Sequence, residues 1–136
     1  MVLRGGTALA LVTVLLLGGC ATWKKTSRTI FEGGHATAVT ASTAGKPLMH
    51  QRCLKVAEKC GLAGDATCQE LTVCRQEKEK FVHIVVSVHR AAMMGLLSLE
   101  IGDQVAVDGW VEKIQALVKQ LGELAKQYGL GDLLIK

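Results

Sequence analysis

Apolar residues recur at alternating spacings of four and three in two stretches of the chain. In the first stretch they are Phe81, Val85, Val88, Ala92, Gly95 and Leu99. In the second they are Trp110, Ile114, Leu117, Leu121, Leu124 and Tyr128. This spacing aligns apolar side chains along one face of a helix, as a seam for a partner helix. We therefore predict two helices, roughly Thr67 to Ile101 and Asp108 to Tyr128, that pack on each other.

Capping residues indicate where these two helices begin and end. Residues 67–70 (Thr-Cys-Gln-Glu) have the pattern of a capping box, which opens a helix. No strong breaker follows before Gly102. Asp108 is expected to cap the next helix and Gly129 to end it.

A shorter helix is predicted from Pro47 to Cys60, because proline suits a first helical turn. Gly61 is expected to stop this helix, and Gly64 with Asp65 to form a turn. Two helices joined by so short a turn run antiparallel as a hairpin.

The longest predicted helix has a second apolar face, formed by Val82, Val86, Met93 and Leu97. A helix that is apolar around most of its circumference needs cover on more than one side. Residues 28–45 could supply it if they continue the Pro47 helix backwards past a kink. Their threonines and the Gly33-Gly34 pair fit a flexible tether instead. We favour the extended helix, and the tether stays open.

Four cysteines follow the N-terminal region, namely Cys53, Cys60, Cys68 and Cys74. Cys60 and Cys68 flank the hairpin turn. Cys53 lies about 10 Å from the turn-side cysteine along the first helix, and Cys74 lies about 9 Å along the second. A disulfide tolerates Cα separations of only about 4.4 to 6.8 Å. We therefore predict the nested pairing Cys60–Cys68 and Cys53–Cys74. A Cys₄ zinc site is the alternative, although neither pair has the short spacer usual in zinc sites.

Together these elements predict an all-α fold, a disulfide-stapled helical hairpin plus a third helix that form a small three-helix bundle. We assign residues 1–19 to a cleaved signal peptide, 20–27 to an acylated anchor and basic tether, and 28–136 to the bundle. The long helix is not expected to span a membrane, because His83, His89 and Arg90 fall in its middle.

The N-terminal assignment depends on the run from Ala8 to Leu17, which is apolar but too short to span a bilayer. Leu17, Gly18 and Gly19 precede Cys20, a pattern that resembles the lipobox of bacterial lipoproteins. The resemblance implies cleavage before Cys20 and acylation of that cysteine, with palmitate as one expected acyl group. Ala21, in place of aspartate, implies the periplasmic face of the outer membrane if the source is Gram-negative.

Candidate catalytic and ligand-binding residues are few. The net charge of +4 is too small and too evenly mixed to argue for nucleic acid. His83 and His89 are six residues apart and do not form the zinc-binding i, i+4 pair, while His35 and His50 are isolated in sequence. Methionines on apolar helices are expected to be core residues. We predict no catalytic residue, no metal ligand and no cofactor.

The predicted function is that of a membrane-anchored envelope lipoprotein, a non-enzymatic structural or protein-interaction module. Its expected partners are the membrane, through lipid on Cys20, and another envelope protein or a second copy. One alternative is a periplasmic metal or haem carrier that uses some of the histidines and methionines. Another is a phage-derived lysis or exclusion lipoprotein.

Overall fold

The computed structural model describes residues 5–62 and 68–130, with side chains for 22–61 and 68–130. The backbone forms helices α1 (Gly5–Thr40), α2 (Lys46–Leu62), α3 (Gln69–Ile101) and α4 (Gln104–Gln127). A π-helical segment, Ala41–Gly45, joins α1 to α2, so these three elements form one long helical arm. The arm, α3 and α4 pack together, and the described residues contain no strand. The predicted all-α bundle with two disulfides is confirmed.

The arm is helical throughout residues 28–45, so the tether interpretation is wrong. Pro47 has no N–H to donate to Thr43, and its ring would crowd the carbonyl of that residue in a regular α-helix. The wider π-turns directly before it relieve this conflict. The threonine hydroxyls are also accommodated, since those of Thr29, Thr37 and Thr43 each donate to the carbonyl four residues earlier, at 2.9 Å.

Glycines allow the arm to lie close to its neighbours. A Cβ on Gly95 of α3 would overlap the ring of Phe31, and one on Gly34 would overlap Ile114 of α4. A Cβ on Gly45 would lie 2.7 Å from Cζ of Phe81. Gly34 is thus a packing position rather than a helix break, and its neighbour Gly33 contacts nothing in this way.

The two predicted seams form the core. All six seam residues of α3 are buried. In α4, Ile114, Leu121 and Leu124 are buried and the other three seam residues are half-buried. Phe31 and Met49 of the arm complete the core between the helices.

The helix ends differ in part from the prediction. Gly102 and Gly129 have positive φ angles of 82° and 73°, as expected at helix ends. Asp103, not Asp108, caps α4, because its side chain accepts a hydrogen bond from the Ala106 amide at 3.0 Å. The cap differs because α4 begins at Gln104, four residues before the predicted start at Asp108.

The start of α3 and the end of α2 also differ from the prediction. Cys68 occupies the N-cap position of α3 and makes no side-chain cap hydrogen bond, while Thr67 lies outside the described residues. Helix α2 continues through Gly61 to Leu62, so the predicted stop at Gly61 is wrong. The Cys60–Cys68 disulfide holds the last turn of α2. Rules for helix capping consider only neighbouring residues and do not include such a tertiary restraint.

The disulfides join Cys53 to Cys74 and Cys60 to Cys68, with Cα separations of 5.7 and 5.8 Å. Both connect α2 to α3, and the second lies beside the 63–67 connection. Their sulfurs are therefore not thiolate ligands, so the Cys₄ zinc alternative is excluded. The hairpin is stapled at the end of the bundle opposite the α3–α4 turn.

Candidate functional site

The second apolar face of α3 is largely exposed, contrary to the expectation that the arm would cover it. We call Val82, Val86, Met93 and Leu97 the outer face. Val86, Met93 and Leu97 have exposed fractions of 52%, 50% and 49%. The arm and α4 pack instead on the other sides of α3, where Ile84, Ala91 and Ser98 are buried in addition to the seam. Nothing in the described chain covers the outer face.

The methionines are likewise divided between the core and the exposed side of α3. Met49 is buried in the core, as predicted. Met93 and Met94 are exposed, so the expectation that they pack in the core is wrong. The reason is geometric, because both lie on the side of α3 away from the arm and α4.

Two open grooves adjoin the outer face. One, of about 600 Å³, lies towards the stapled end and is lined by Arg75, Lys78, Glu79, Val82, His83 and Val86. The other, of about 300 Å³, lies between α1 and α3 and includes Val39, Val86 and His89. Near the stapled end, the outer face is therefore flanked by charged side chains of both signs, Arg75, Lys78 and Glu79.

A second exposed apolar group lies at the end of the bundle that contains the α3–α4 turn, which we call the turn end. Ile101 and Val105 flank the turn and have exposed fractions of 73% and 84%. The Trp23 indole Nε1 donates to Asp108 Oδ1 at 3.2 Å and so fixes the start of α4 beside α1. Trp23 follows Cys20 by three residues, about 4.5 Å along a helix axis. The predicted lipidation site thus lies close to the most exposed apolar residues of the bundle.

Cys20 itself belongs to α1 by its backbone, and its side chain lies outside the described part of the chain. The basic residues that follow it, Lys24, Lys25 and Arg28, are exposed. Asp103 and Asp108 lie at the same end. The turn end therefore combines apolar, aromatic and mixed charged side chains.

His35 of α1 and His89 of α3 face each other across the helix interface. Their Nδ1 atoms are 3.1 Å apart, and the ring centroids are separated by 4.9 Å with the planes inclined by 42°. Two neutral imidazoles at this distance share one hydrogen bond, in which one ring donates and the other accepts. His89 also lines the 300 Å³ groove, which is open to solvent beside the pair.

Sequence reasoning missed this pair. Each histidine is unremarkable in its own helix, and the 54 positions between them carry no motif. The only signal was the match of a large residue, Phe31, to a small one, Gly95, which sets the register of α1 against α3. His35 and His89 were each judged within their own helix, and that judgement does not show that the register of α1 against α3 places them opposite each other.

The other two histidines make different contacts. His50 accepts a hydrogen bond through Nδ1 from the Lys78 ammonium at 3.0 Å, which links α2 to α3. His83 lies on the exposed side of α3, in the 600 Å³ groove. Within the described residues, no group of three or more histidine, cysteine, aspartate or glutamate side chains could hold a metal ion.

Tyr128, the only tyrosine of the chain, lies at the end of α4 near two charges of opposite sign. Partial burial raises the pKa of its phenol, the Glu77 carboxylate raises it further, and Arg52 lowers it. The Arg52 guanidinium carbon lies 5.3 Å from the centre of the Tyr128 ring, a cation–π geometry. The cluster ties the last turn of α4 to the stapled hairpin.

Helix α3 is, among the described residues searched, the one helix long and apolar enough by length and composition to cross a membrane. Within its most apolar window, 44% of the residues are buried inside the bundle. Part of its apolar character therefore reflects its place in the core of the bundle.

Comparison of the chain with protein-family models, with curated proteins and with solved structures found no match.

Proposed function

We propose that this chain is an envelope lipoprotein, attached to a membrane through acyl groups on Cys20, whose bundle is a non-enzymatic protein-interaction module. The lipobox-like sequence around Cys20 supports the attachment. One acyl chain gives marginal membrane binding, whereas two or three give durable anchoring. The exposed, apolar outer face of α3 is the observation that supports the interaction role.

The turn end fits a position against the bilayer. Its most exposed residues, Ile101 and Val105, are apolar and lie next to the anchor. Trp23 is of the type enriched at membrane interfaces. Exposed Lys24, Lys25 and Arg28 would gain about 1 kcal/mol each near anionic head groups. In this orientation the stapled end points away from the membrane, and the outer face is accessible from the side.

Lipid attachment is tested with a Cys20→Ala variant. The unaltered chain should incorporate labelled palmitate in cells and fractionate with membranes, and the variant should do neither. A Cys20→Ala chain that still fractionates with membranes would refute the anchor. Lack of label in the unaltered chain would do the same.

Contact of the turn end with lipid is tested by tryptophan quenching. The full chain, reconstituted into vesicles that contain brominated phospholipid, should show quenched emission. Val105→Asn should reduce this quenching, whereas Leu54→Asn, at an exposed apolar position of the stapled end, should not. Equal effects of the two substitutions would contradict the proposed orientation.

The outer face is proposed to bind an apolar helix of a second copy or of another envelope protein. Isolated exposed apolar residues are ordinary, but Val86, Met93 and Leu97 lie along one side of one helix. This arrangement suits helix-in-groove or helix-on-helix recognition.

A photo-crosslinking amino acid at position 93, introduced into cells, tests this surface. We expect one defined adduct, of twice the chain mass if the partner is a second copy. The matched control is the same amino acid at position 120, an exposed position of α4. Adducts at position 93 should disappear with Val86→Glu or Leu97→Glu. The proposal fails if the two positions give the same adducts or if position 93 gives none.

A further inference from the structure

We propose that His35 and His89 form a binding site for a late divalent transition-metal ion, Cu(II) foremost. The inference is independent of the lipid anchor and of the outer-face partner, because it depends only on how α1 packs against α3.

The separation of the two nitrogens fits two ligands of one metal ion. Imidazole nitrogens bind such ions at about 2.0 to 2.1 Å. With Nδ1 of His35 and Nδ1 of His89 at 3.1 Å, both bonds form with an angle of about 100° at the metal. That angle lies between those of square-planar and tetrahedral sites. The two helices therefore need not move to hold the ion.

The chemistry of the donors selects the class of metal. Neutral imidazole is a good ligand for Cu(II), Ni(II) and Zn(II) and a poor one for Mg(II) or Ca(II). The ring that carries its proton on Nδ1 must move that proton to Nε2 through solvent, which frees both Nδ1 lone pairs without net proton release. Both Nε2–H groups then remain available to donate hydrogen bonds.

Only two protein ligands are available, since the described residues provide no cluster of three. The remaining coordination positions would be filled by water from the open groove that His89 lines. Such a site binds with moderate affinity, and Cu(II) should bind most tightly, followed by Ni(II) and Zn(II) within the usual order for nitrogen ligands.

Metal binding should clamp the arm to α3. An ion that binds the folded chain and not the unfolded one stabilises the fold by mass action. At a free ion concentration one hundredfold above the Kd, the midpoint of thermal unfolding should rise by roughly 8 to 13 °C.

The test uses the purified full chain in detergent micelles, with disulfides intact, titrated with copper sulfate, nickel chloride, zinc chloride or magnesium chloride. Isothermal titration should give one Cu(II) per chain. The unfolding temperature should rise most with copper and not at all with magnesium. Electron paramagnetic resonance of the copper complex should show nitrogen ligands.

His35→Gln and His89→Gln should each abolish the rise in unfolding temperature, while His50→Gln and His83→Gln should retain it. Far-UV circular dichroism without metal identifies any variant that fails to fold, and His35→Asn then serves as a second substitution. The proposal is overturned if the unaltered chain shows no metal-dependent rise. It is equally overturned if the His35 and His89 variants keep the rise, or if all four variants lose it alike.

Discussion

The ring of Phe31 lies directly against Gly95, so closely that α3 has no room there for a Cβ atom. Phe31 is fully buried, and Gly95 is a buried member of the α3 seam. This contact sets the register between α1 and α3. One helical turn further along α1, the same register brings His35 opposite His89.

Gly95→Ala should lower the free energy of unfolding by about 1 to 3 kcal/mol, because the added methyl group overpacks the interface with Phe31. The matched control is Gly33→Ala, where a Cβ would contact nothing. That change should stabilise the chain by about 0.5 to 1 kcal/mol, since alanine favours helix over glycine. Urea unfolding of both variants measures the effects. If both substitutions stabilise the chain, the Phe31 ring moves aside for the added methyl group at little cost in free energy, contrary to this prediction.

Loss of the Cys53–Cys74 disulfide should cost about 3 kcal/mol, and loss of the Cys60–Cys68 disulfide somewhat less. The first closes a loop with a sequence separation of 21 residues and the second one of 8, so the first restricts the unfolded chain more. Denaturant unfolding of the two double Cys→Ala variants measures both losses. A larger loss for the Cys60–Cys68 variant would contradict this entropic argument.

Asp103→Ala should destabilise the chain by about 1 kcal/mol, because the Ala106 amide loses its acceptor at the start of α4. Asp103→Asn should cost much less, since asparagine caps helices about as well as aspartate. Thermal unfolding of the two variants distinguishes capping from a general effect of charge. If the two variants lose equal stability, the charge of Asp103, and not its capping hydrogen bond, accounts for the loss.

The Tyr128 phenol should titrate above its ordinary pKa of 10.0 in the folded chain, because desolvation and the Glu77 carboxylate disfavour the phenolate. Glu77→Gln should lower this pKa and Arg52→Gln should raise it. Since the folded pKa exceeds the unfolded one, the contribution of Tyr128 to stability is present below pH 10 and is lost as the pH rises through the folded pKa.

Ultraviolet absorbance of the single tyrosine follows its ionisation directly, with the denatured chain as the reference. A folded chain whose phenol titrates at or below the denatured value would show that Arg52 outweighs both other groups.

The spacing of apolar residues within each helix is a local property, and for that reason the sequence predicts it well. The seams of α3 and α4 and the helix ends at Gly102 and Gly129 follow from residues a few positions apart. Even the cysteines obey a local rule, since their distance from the hairpin turn decides which of them lie at the same level.

Other features depend on contacts between residues far apart in the chain. Propensity alone favours a tether before Pro47, but glycines that admit Phe31, Phe81 and Ile114 let the arm pack as a helix. The same packing decides which apolar face of α3 is covered, and the outer face is not.

What the sequence by itself determined is the helical hairpin and the third helix, the apolar seams of α3 and α4, and the disulfide pairing. What only the tertiary structure decided is the register of the arm, and with it the meeting of His35 and His89. The physical reason is that helical periodicity acts over one or two turns, whereas register is chosen by the fit of side chains across an interface.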